Sequence, residues 1–276
     1  MDSKTSIIEL PASVEANTSI TPSIPQEIVD EILGHLAVPT NPDFESLRSC
    51  ALVSESWVQS CQRHLFHTIL FSARDMNRWL DVFPTKEESP ANHVKHLRVW
   101  IGGYDCVPEW FFKYTWWFAN VKKVTLIGKG GDPPLRVPSL WRLPQSVVSL
   151  TMNTDVVTLV QVRDIMAHLP NLDDLSLLGY PIAVDRNMLP GIGRVLKGRF
   201  GGGLQLYEGC VGEDVTNMLL EIQAGLHFTD VMIHGTHECF PSTVRLAESC
   251  GRTLMNLLYT ASPYSKSYPF SWFNQF

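Results

Sequence analysis

The chain lacks paired cysteines, a long apolar run, a run of like charge and a nucleophile elbow, and each absence narrows the reading. Its six cysteines, Cys50, Cys61, Cys106, Cys210, Cys239 and Cys250, are scattered and none forms C-x-x-C. Three fall among apolar neighbours on expected helices, where a free thiol acts as a small hydrophobe. No stretch approaches the ~18 apolar residues of a membrane span; the richest, Trp110 to Phe118, is broken by Lys113. Asp2 and Lys4 lead into no apolar h-region, so no secretory signal is expected. With a net charge of −6 and no basic run, nucleic acid is not the expected partner. G-x-S-x-G is absent, which removes the hydrolase elbow. A reducing compartment, cytoplasmic or nuclear, fits this pattern, with no membrane association.

The 276 residues, 45% apolar and 18% charged, are enough for a sizeable core in one or two domains. Residues 1–22 are Ser/Thr-rich without a period and read as a flexible leader. Ser23 and Gln26 have capping-box spacing, and Pro25 suits a first helical turn. Ile28, Val29, Ile32, Leu33 and Leu36 then share one helical face. A second helix is expected from Asp43, with Phe44, Leu47, Cys50 and Ala51 inward. A third is expected after a Ser54 cap, with Trp57, Val58, Cys61 and Leu65 on its apolar face. Three short helices in residues 23–70 are too small to be very stable alone. Residues 71–90, including Lys86-Glu87-Glu88-Ser89-Pro90, read as a linker.

From residue 91 one strand pattern recurs: apolar, two polar, apolar, one polar, apolar. It appears at Val94-Leu97-Val99, Val121-Val124-Leu126, Val147-Leu150-Met152, Leu172-Leu175-Leu177, Phe228-Val231-Ile233 and Leu254-Leu257-Tyr259, with a degenerate copy at Leu204-x-Leu206. A period near 26 residues is the mark of a solenoid. Helices are expected at Val156 to Leu169, Glu213 to Leu226 and Ser242 to Cys250. One such strand cannot bury its own apolar face, whereas stacked parallel strands share a core. The intervening residues Arg98, Thr125, Thr151, Ser176, Met232 and Leu258 would then line the concave surface.

The residues of the first unit resemble an F-box: Ile24-Pro25 with Glu27, Ile28, Ile32, Leu33 and Leu36, then Leu47, Cys50, Ala51 and Leu52-Val53-Ser54-x-x-Trp57, closing at Leu65-Phe66. Ile stands where the family usually has Leu before Pro25, and Val38 to Pro42 lengthens the first loop. Residues 91–276 resemble leucine-rich repeats of an irregular type. The ladder Asn or Cys is replaced by Gly102, Lys129, Asp155, Tyr180, Thr236 and Ser262. The implied fold is α+β: an N-terminal three-helix F-box followed by an irregular leucine-rich-repeat-like α/β solenoid with parallel strands. The resemblance implies the substrate-recognition subunit of a Skp–cullin–F-box ubiquitin ligase. It would contact a Skp-family adaptor, and through it a cullin, by Ile24, Pro25, Ile28, Val29, Ile32, Leu52, Val53 and Trp57. A substrate protein of unspecified identity would sit on the repeats. The alternative is a scaffold outside the ubiquitin pathway, in which the helices only cap the solenoid.

Sites of bond chemistry are not expected, and no cofactor or metal is implied. His64-x-x-His67, His93-x-x-His96 and His234-x-x-His237-x-Cys239 lack convincing partner ligands. Gly191-Ile192-Gly193, Gly128-Lys129-Gly130-Gly131 and Gly201-Gly202-Gly203 depart from phosphate-binding patterns and read as turns. Asp173 and Asp174 would point to opposite faces of a strand, in solvated roles. The aromatic cluster Trp110 to Phe118 is expected to pack a first convex helix against the strands, with a partner-binding patch as the alternative. The aromatic tail Tyr264 to Phe276 is read either as a cover for the end of the solenoid or as a sign of a truncated chain.

Overall fold

The computed structural model describes residues 24–38, 42–101, 113–128, 143–153, 158–179, 200–207, 210, 212–222 and 225–261. The expected leader and tail, the first aromatics of the 110–118 cluster, Lys129-Gly130-Gly131 and Gly191-Ile192-Gly193 lie outside them.

Seven helices and one eight-stranded sheet are present among the described residues, and every strand pairing is parallel. The strands lie in chain order: β1 (Thr68–Phe71), β2 (His96–Trp100), β3 (Lys123–Ile127), β4 (Ser149–Asn153), β5 (Asp174–Leu178), β6 (Gly203–Leu206), β7 (Asp230–Gly235) and β8 (Asn256–Ala261). Sequential parallel order is compatible with an α/β solenoid-like arrangement, in which each unit contacts only its neighbours. The period of two inside each strand sets the faces. Leu97, Val99, Val124, Leu126, Leu150, Met152, Leu175 and Leu177 are buried in one continuous core, while the residues between them face the other way. The expected degenerate copy at Leu204-x-Leu206 forms β6 in register with β5 and β7.

The covering layer comes from α4 (Ala73–Val82), α5 (Leu159–His168), α6 (Glu213–Leu220) and α7 (Phe240–Cys250). Met76, Val162, Ile165, Met218 and Leu246 join the strand residues in that core. The linker expected over 71–90 is instead the first unit of the array. Phe71 closes β1, and α4 follows behind a capping box in which Ser72 and Asp75 satisfy each other's backbone N–H. Phe66-x-x-Ile69-x-Phe71 is thus another copy of the strand pattern, with Ile69 opposite Leu97 and Phe71 opposite Val99.

The aromatic stretch differs from the expected convex helix where it is described. Thr115–Trp117 is a 3-10 turn, and α4 is the first helix of the covering layer. Trp117 and Phe118 are buried, and Phe118 meets Phe71 and Trp79 with ring centroids at 5.8 and 6.1 Å. Trp116 stays exposed, with the Lys86 ammonium 4.6 Å from its ring centre.

Contrary to the expected lack of a ladder, Asn153 Nδ2 donates to Gly128 O (2.8 Å) at the end of β4 and Cys210 Sγ to Gly179 O (3.0 Å) past the end of β6, each reaching the preceding unit, and more such bonds stand at the other end of the strands. The polar residue just before a strand motif, or one inside it, donates to a backbone carbonyl of the preceding unit. Asn120 Nδ2 bonds Asn92 O (2.9 Å), Ser146 Oγ bonds Val121 O (2.7 Å) and Asn171 Nδ2 bonds Gln145 O (3.0 Å). Thr229 Oγ1 bonds Gly202 O (3.3 Å) and Thr253 Oγ1 bonds Phe228 O (3.4 Å). Each satisfies a carbonyl at the corner where the chain enters the sheet.

The N-terminal unit consists of α1 (Gln26–Leu36), α2 (Phe44–Ala51) and α3 (Glu55–Leu65). Asp43 caps α2 by accepting from Ser46 N (3.0 Å), and Ser54 caps α3. In α1 the N-cap is Pro25 itself and carries no side-chain bond. Gln26 reaches instead across to Ser60 Oγ on α3 (2.8 Å). A separate core of Val29, Leu33, Leu47 and Cys61 holds the three helices, with Leu36, Cys50, Ala51, Trp57 and Leu65 packed around it. Helix α3 also packs on the 3-10 turn Pro90–His93 and runs almost directly into β1, so the unit sits against the first edge of the sheet.

Candidate protein-interaction surfaces

The first helix of the unit carries two adjacent apolar stripes with different surroundings. On α1, Val29 and Leu33 point into the small core, while Ile28 and Ile32 point out. Ile24 and Pro25 are exposed at the head of the helix. The α2–α3 turn carries Leu52, 88% exposed, and Val53, 68% exposed. Of the eight residues expected to contact an adaptor, six are therefore at the surface. Val29 is not: at 1% exposure it is core, because one turn of helix can offer only one side to the neighbouring helices. Trp57 is half-buried against the same core and acts first as packing. Phe44 reverses its expected role. It is exposed at the start of α2, and Leu47 alone of that helix is buried. Val38 is likewise exposed. Shallow space of about 270 Å³ is lined by Phe44, Arg48, Leu65 and Phe66. The unit thus leaves large aliphatic side chains in water although a core exists for others. Such surfaces mark interaction sites more often than solvated ones.

The second surface is the open face of the sheet. All-parallel sheets are ordinarily covered on both faces, and their strands are then apolar throughout. Here most strands alternate, and the face away from the helices carries mainly polar side chains, with Leu70, Met232 and Leu258 among its apolar exceptions. The six residues expected there fall in a single row across the sheet. The pairing register runs Leu70, Arg98, Thr125, Thr151, Ser176, Gln205, Met232, Leu258, one residue from each strand. Leu70 and Gln205 complete the row. Leu70 comes from the strand that stands where a linker is expected, and Gln205 from the degenerate copy of the pattern.

A parallel row lies one pleat away: Thr68, His96, Lys123, Ser149 and Asp174, then Gly203, Asp230 and Asn256. His96 Nε2 lies 2.8 Å from Thr125 Oγ1. Burial, reinforced by the charges of Lys123 and Arg98, holds the His96 imidazole down at about 4, so it is neutral at pH 7. Farther along, Tyr207 stacks on His234 with ring centroids at 4.5 Å.

The remaining candidates find structural roles. Asp173 and Asp174 are not merely solvated. Asp173 Oδ1 accepts from Gly201 N (2.9 Å) and Asp174 Oδ1 from Gly203 N (2.7 Å), so both carboxylates hold the entry to β6. That explains the glycine triplet: a Cβ on Gly202 would lie 2.4 Å from Asp174 Oδ1 and 3.2 Å from the Asp173 carbonyl carbon. Among the described residues no group of three His, Cys, Asp or Glu side chains is placed to hold a metal ion. No described helix is long and apolar enough to cross a membrane. Cys50, Cys61, Cys239 and Cys250 are free thiols, Cys210 Sγ donates to Gly179 O (3.0 Å), and burial pushes the thiols of Cys61 and Cys250 up.

No family model matches the chain, and no curated protein matches it.

Proposed function

We propose that this protein is the substrate-recognition subunit of a Skp–cullin–F-box type ubiquitin ligase. The helical unit docks a Skp-family adaptor, which links it to a cullin, and the open face of the sheet holds a substrate protein. The chain performs no bond chemistry in this reading. It acts by proximity, raising the local concentration of substrate near a conjugating enzyme. The observation that carries the proposal is Leu52. Leu52 sits at a helix–helix turn, almost wholly in water beside exposed Val53, in a unit whose first helix also presents Ile28 and Ile32, and burial in this chain does not account for it. The resemblance of the Ile24-Pro25 and Leu52-Val53-Ser54-x-x-Trp57 segments to an F-box supplies the partner class.

Co-expression with a Skp-family adaptor, followed by size exclusion, tests it. A one-to-one complex is expected, and Leu52→Asp combined with Val53→Asp should abolish it while circular dichroism stays unchanged. An unaltered complex in that variant would remove the mapping. Trp57 is a poor choice for the same test, since its loss would also disturb the small core.

A second reading is that the helices only cap the sheet. The packing of α3 on the Pro90–His93 turn and its direct passage into β1 favour it. It requires that deletion of residues 1–66 unfold the sheet and that no adaptor bind the intact chain. Capping and docking use different sides of the unit, so the first of these results alone would leave the proposal standing.

A further inference from the structure

The open face of the sheet is electrically divided. At the β2–β3 end Arg98 and Lys123 stand on it, with Lys95 and Lys122 at the adjoining strand entries. The ion pairs among the described residues are Arg63 with Asp30 and Arg163 with Asp164, so none of these four cations is neutralised by a described carboxylate. His96 between them is neutral, for the reasons given above, and adds no charge at pH 7. At the β5–β7 end the exposed charges on the same face are Asp174 and Asp230. Hydrogen bonds from Thr229 and Asn256 hold the Asp230 carboxyl below its ordinary value, so it stays ionised. Between the two ends the rows carry hydroxyls and an amide: Thr125, Ser149, Thr151, Ser176 and Gln205.

We infer that the open face takes an extended segment of a partner protein that is itself bipolar, acidic where it crosses β2–β3 and basic where it crosses β5–β7. This rests on the reading of the sheet as the substrate-holding surface and narrows the class of substrate. The strand spacing fixes the separation of the charges. Neighbouring strands lie about 4.8 Å apart, so Asp174 is about 10 Å and Asp230 about 19 Å from the Lys123 strand. An extended chain covers those distances in roughly three to six residues. The hydroxyl and amide rows between suit a backbone or neutral side chains and reject a uniformly charged run, because either sign meets its like at one end.

Four synthetic peptides of equal length test this against the full chain by fluorescence anisotropy at low salt. One carries a Glu pair and a Lys pair with four neutral residues between; one has the same pairs adjacent; one has only Glu and one only Lys at the charged positions. The spaced bipolar peptide is expected to bind about fivefold more tightly than the others, the scale of two exposed ion pairs. Arg98→Glu with Lys123→Glu should move the preference to the Lys-only peptide. Asp174→Asn with Asp230→Asn should move it to the Glu-only peptide, and these replacements keep an oxygen to accept the Gly203 and Asn256 bonds. Equal binding of all four peptides, no binding up to millimolar concentration, or a wild-type preference for a uniformly charged peptide would overturn the inference. Adaptor binding is followed in parallel. If it survives while the peptide preference fails, the charge reading is wrong and the docking reading is untouched; if it fails while the preference holds, the reverse is true.

Discussion

In the helical unit large apolar side chains are shared between a core of four residues and the surface, whereas in the sheet nearly all of them are inside. The two regions are built from similarly apolar sequence, so the difference is one of geometry. A strand has two faces, and a strict period of two assigns every residue to one of them. A short helix has a broad circumference, and α1 uses one stripe for its neighbours and leaves Ile28 and Ile32 over. Among the described residues the sheet is covered by helices along one face, and at its last strand Phe240, Met255 and Leu257 are exposed. The helical unit is incomplete along its flank. Stability should therefore reside in the sheet, and the adaptor binding proposed above in the flank of the helices.

The sharpest way to break that contrast is to truncate one leucine in each region. Leu175 is fully buried on β5 and in register with Leu150 and Leu204. Leu175→Ala should cost about 2–5 kcal/mol in chemical denaturation. Leu52→Ala should stay within about 0.5 kcal/mol, as surface changes do. Comparable losses at both sites would mean that Leu52 is covered in the folded chain, and the division between a stable sheet and a docking flank would fail.

A smaller pair of effects should differ in sign. Gly34 lies on α1 with nothing within 4 Å of the position a Cβ would take, so Gly34→Ala should stabilise by about 0.5–1 kcal/mol through the helix backbone. Gly202→Ala should destabilise by about 1–3 kcal/mol, since the new Cβ displaces the Asp174 carboxylate and breaks its bond to Gly203 N. Thermal melts of the two variants side by side would show a rise for one and a fall for the other. A fall for both would place Gly34 against something in the folded protein.

How much of this is legible in the sequence depends on which geometry is at work. The strand pattern predicts seven of the eight strands and puts six residues in one row, because parity is local and needs no knowledge of the neighbours. The first strand escapes it because Leu65-Phe66 already serves as the close of the helical unit, although Phe66-x-x-Ile69-x-Phe71 obeys the pattern. Helix α4 escapes because Arg74, Asp75, Asn77, Arg78 and Asp81 give it the look of a linker; Met76, Trp79 and Leu80 carry the signal. The corner ladder uses Asn, Ser and Thr interchangeably, so no single letter recurs to reveal it. Val29 and Phe44 depart from expectation for a different reason. Periodicity finds an apolar stripe but cannot say which neighbour it faces, and α1 has two adjacent stripes with opposite fates.

The smallest expected effect sharpens the comparison at the seam between the two regions, where His96 stands on β2 beside the first strand. Its folded value is about 4, against an ordinary imidazole near 6.5, through burial first and then the charges of Lys123, Arg98 and His67. The unfolded chain therefore binds a proton at His96 between those two values and the folded chain does not. Stability contributed by this group is fully present above about pH 6.5 and falls as the pH drops towards 4, with no further loss below that. One proton gives a slope no steeper than about 1.4 kcal/mol per pH unit. His64, His93 and His234 are also held down by burial and tilt the curve the same way, so the wild-type profile alone is not diagnostic. The difference between wild type and His96→Gln isolates it, because glutamine keeps a polar group near Thr125 but does not titrate. In urea midpoints measured from pH 4 to 7, the wild type should lose stability relative to the variant as the pH falls. Parallel curves would mean that His96 is solvated in the folded protein, free to take up a proton in mild acid and add a charge to those of Arg98 and Lys123 at the cationic end of the open face.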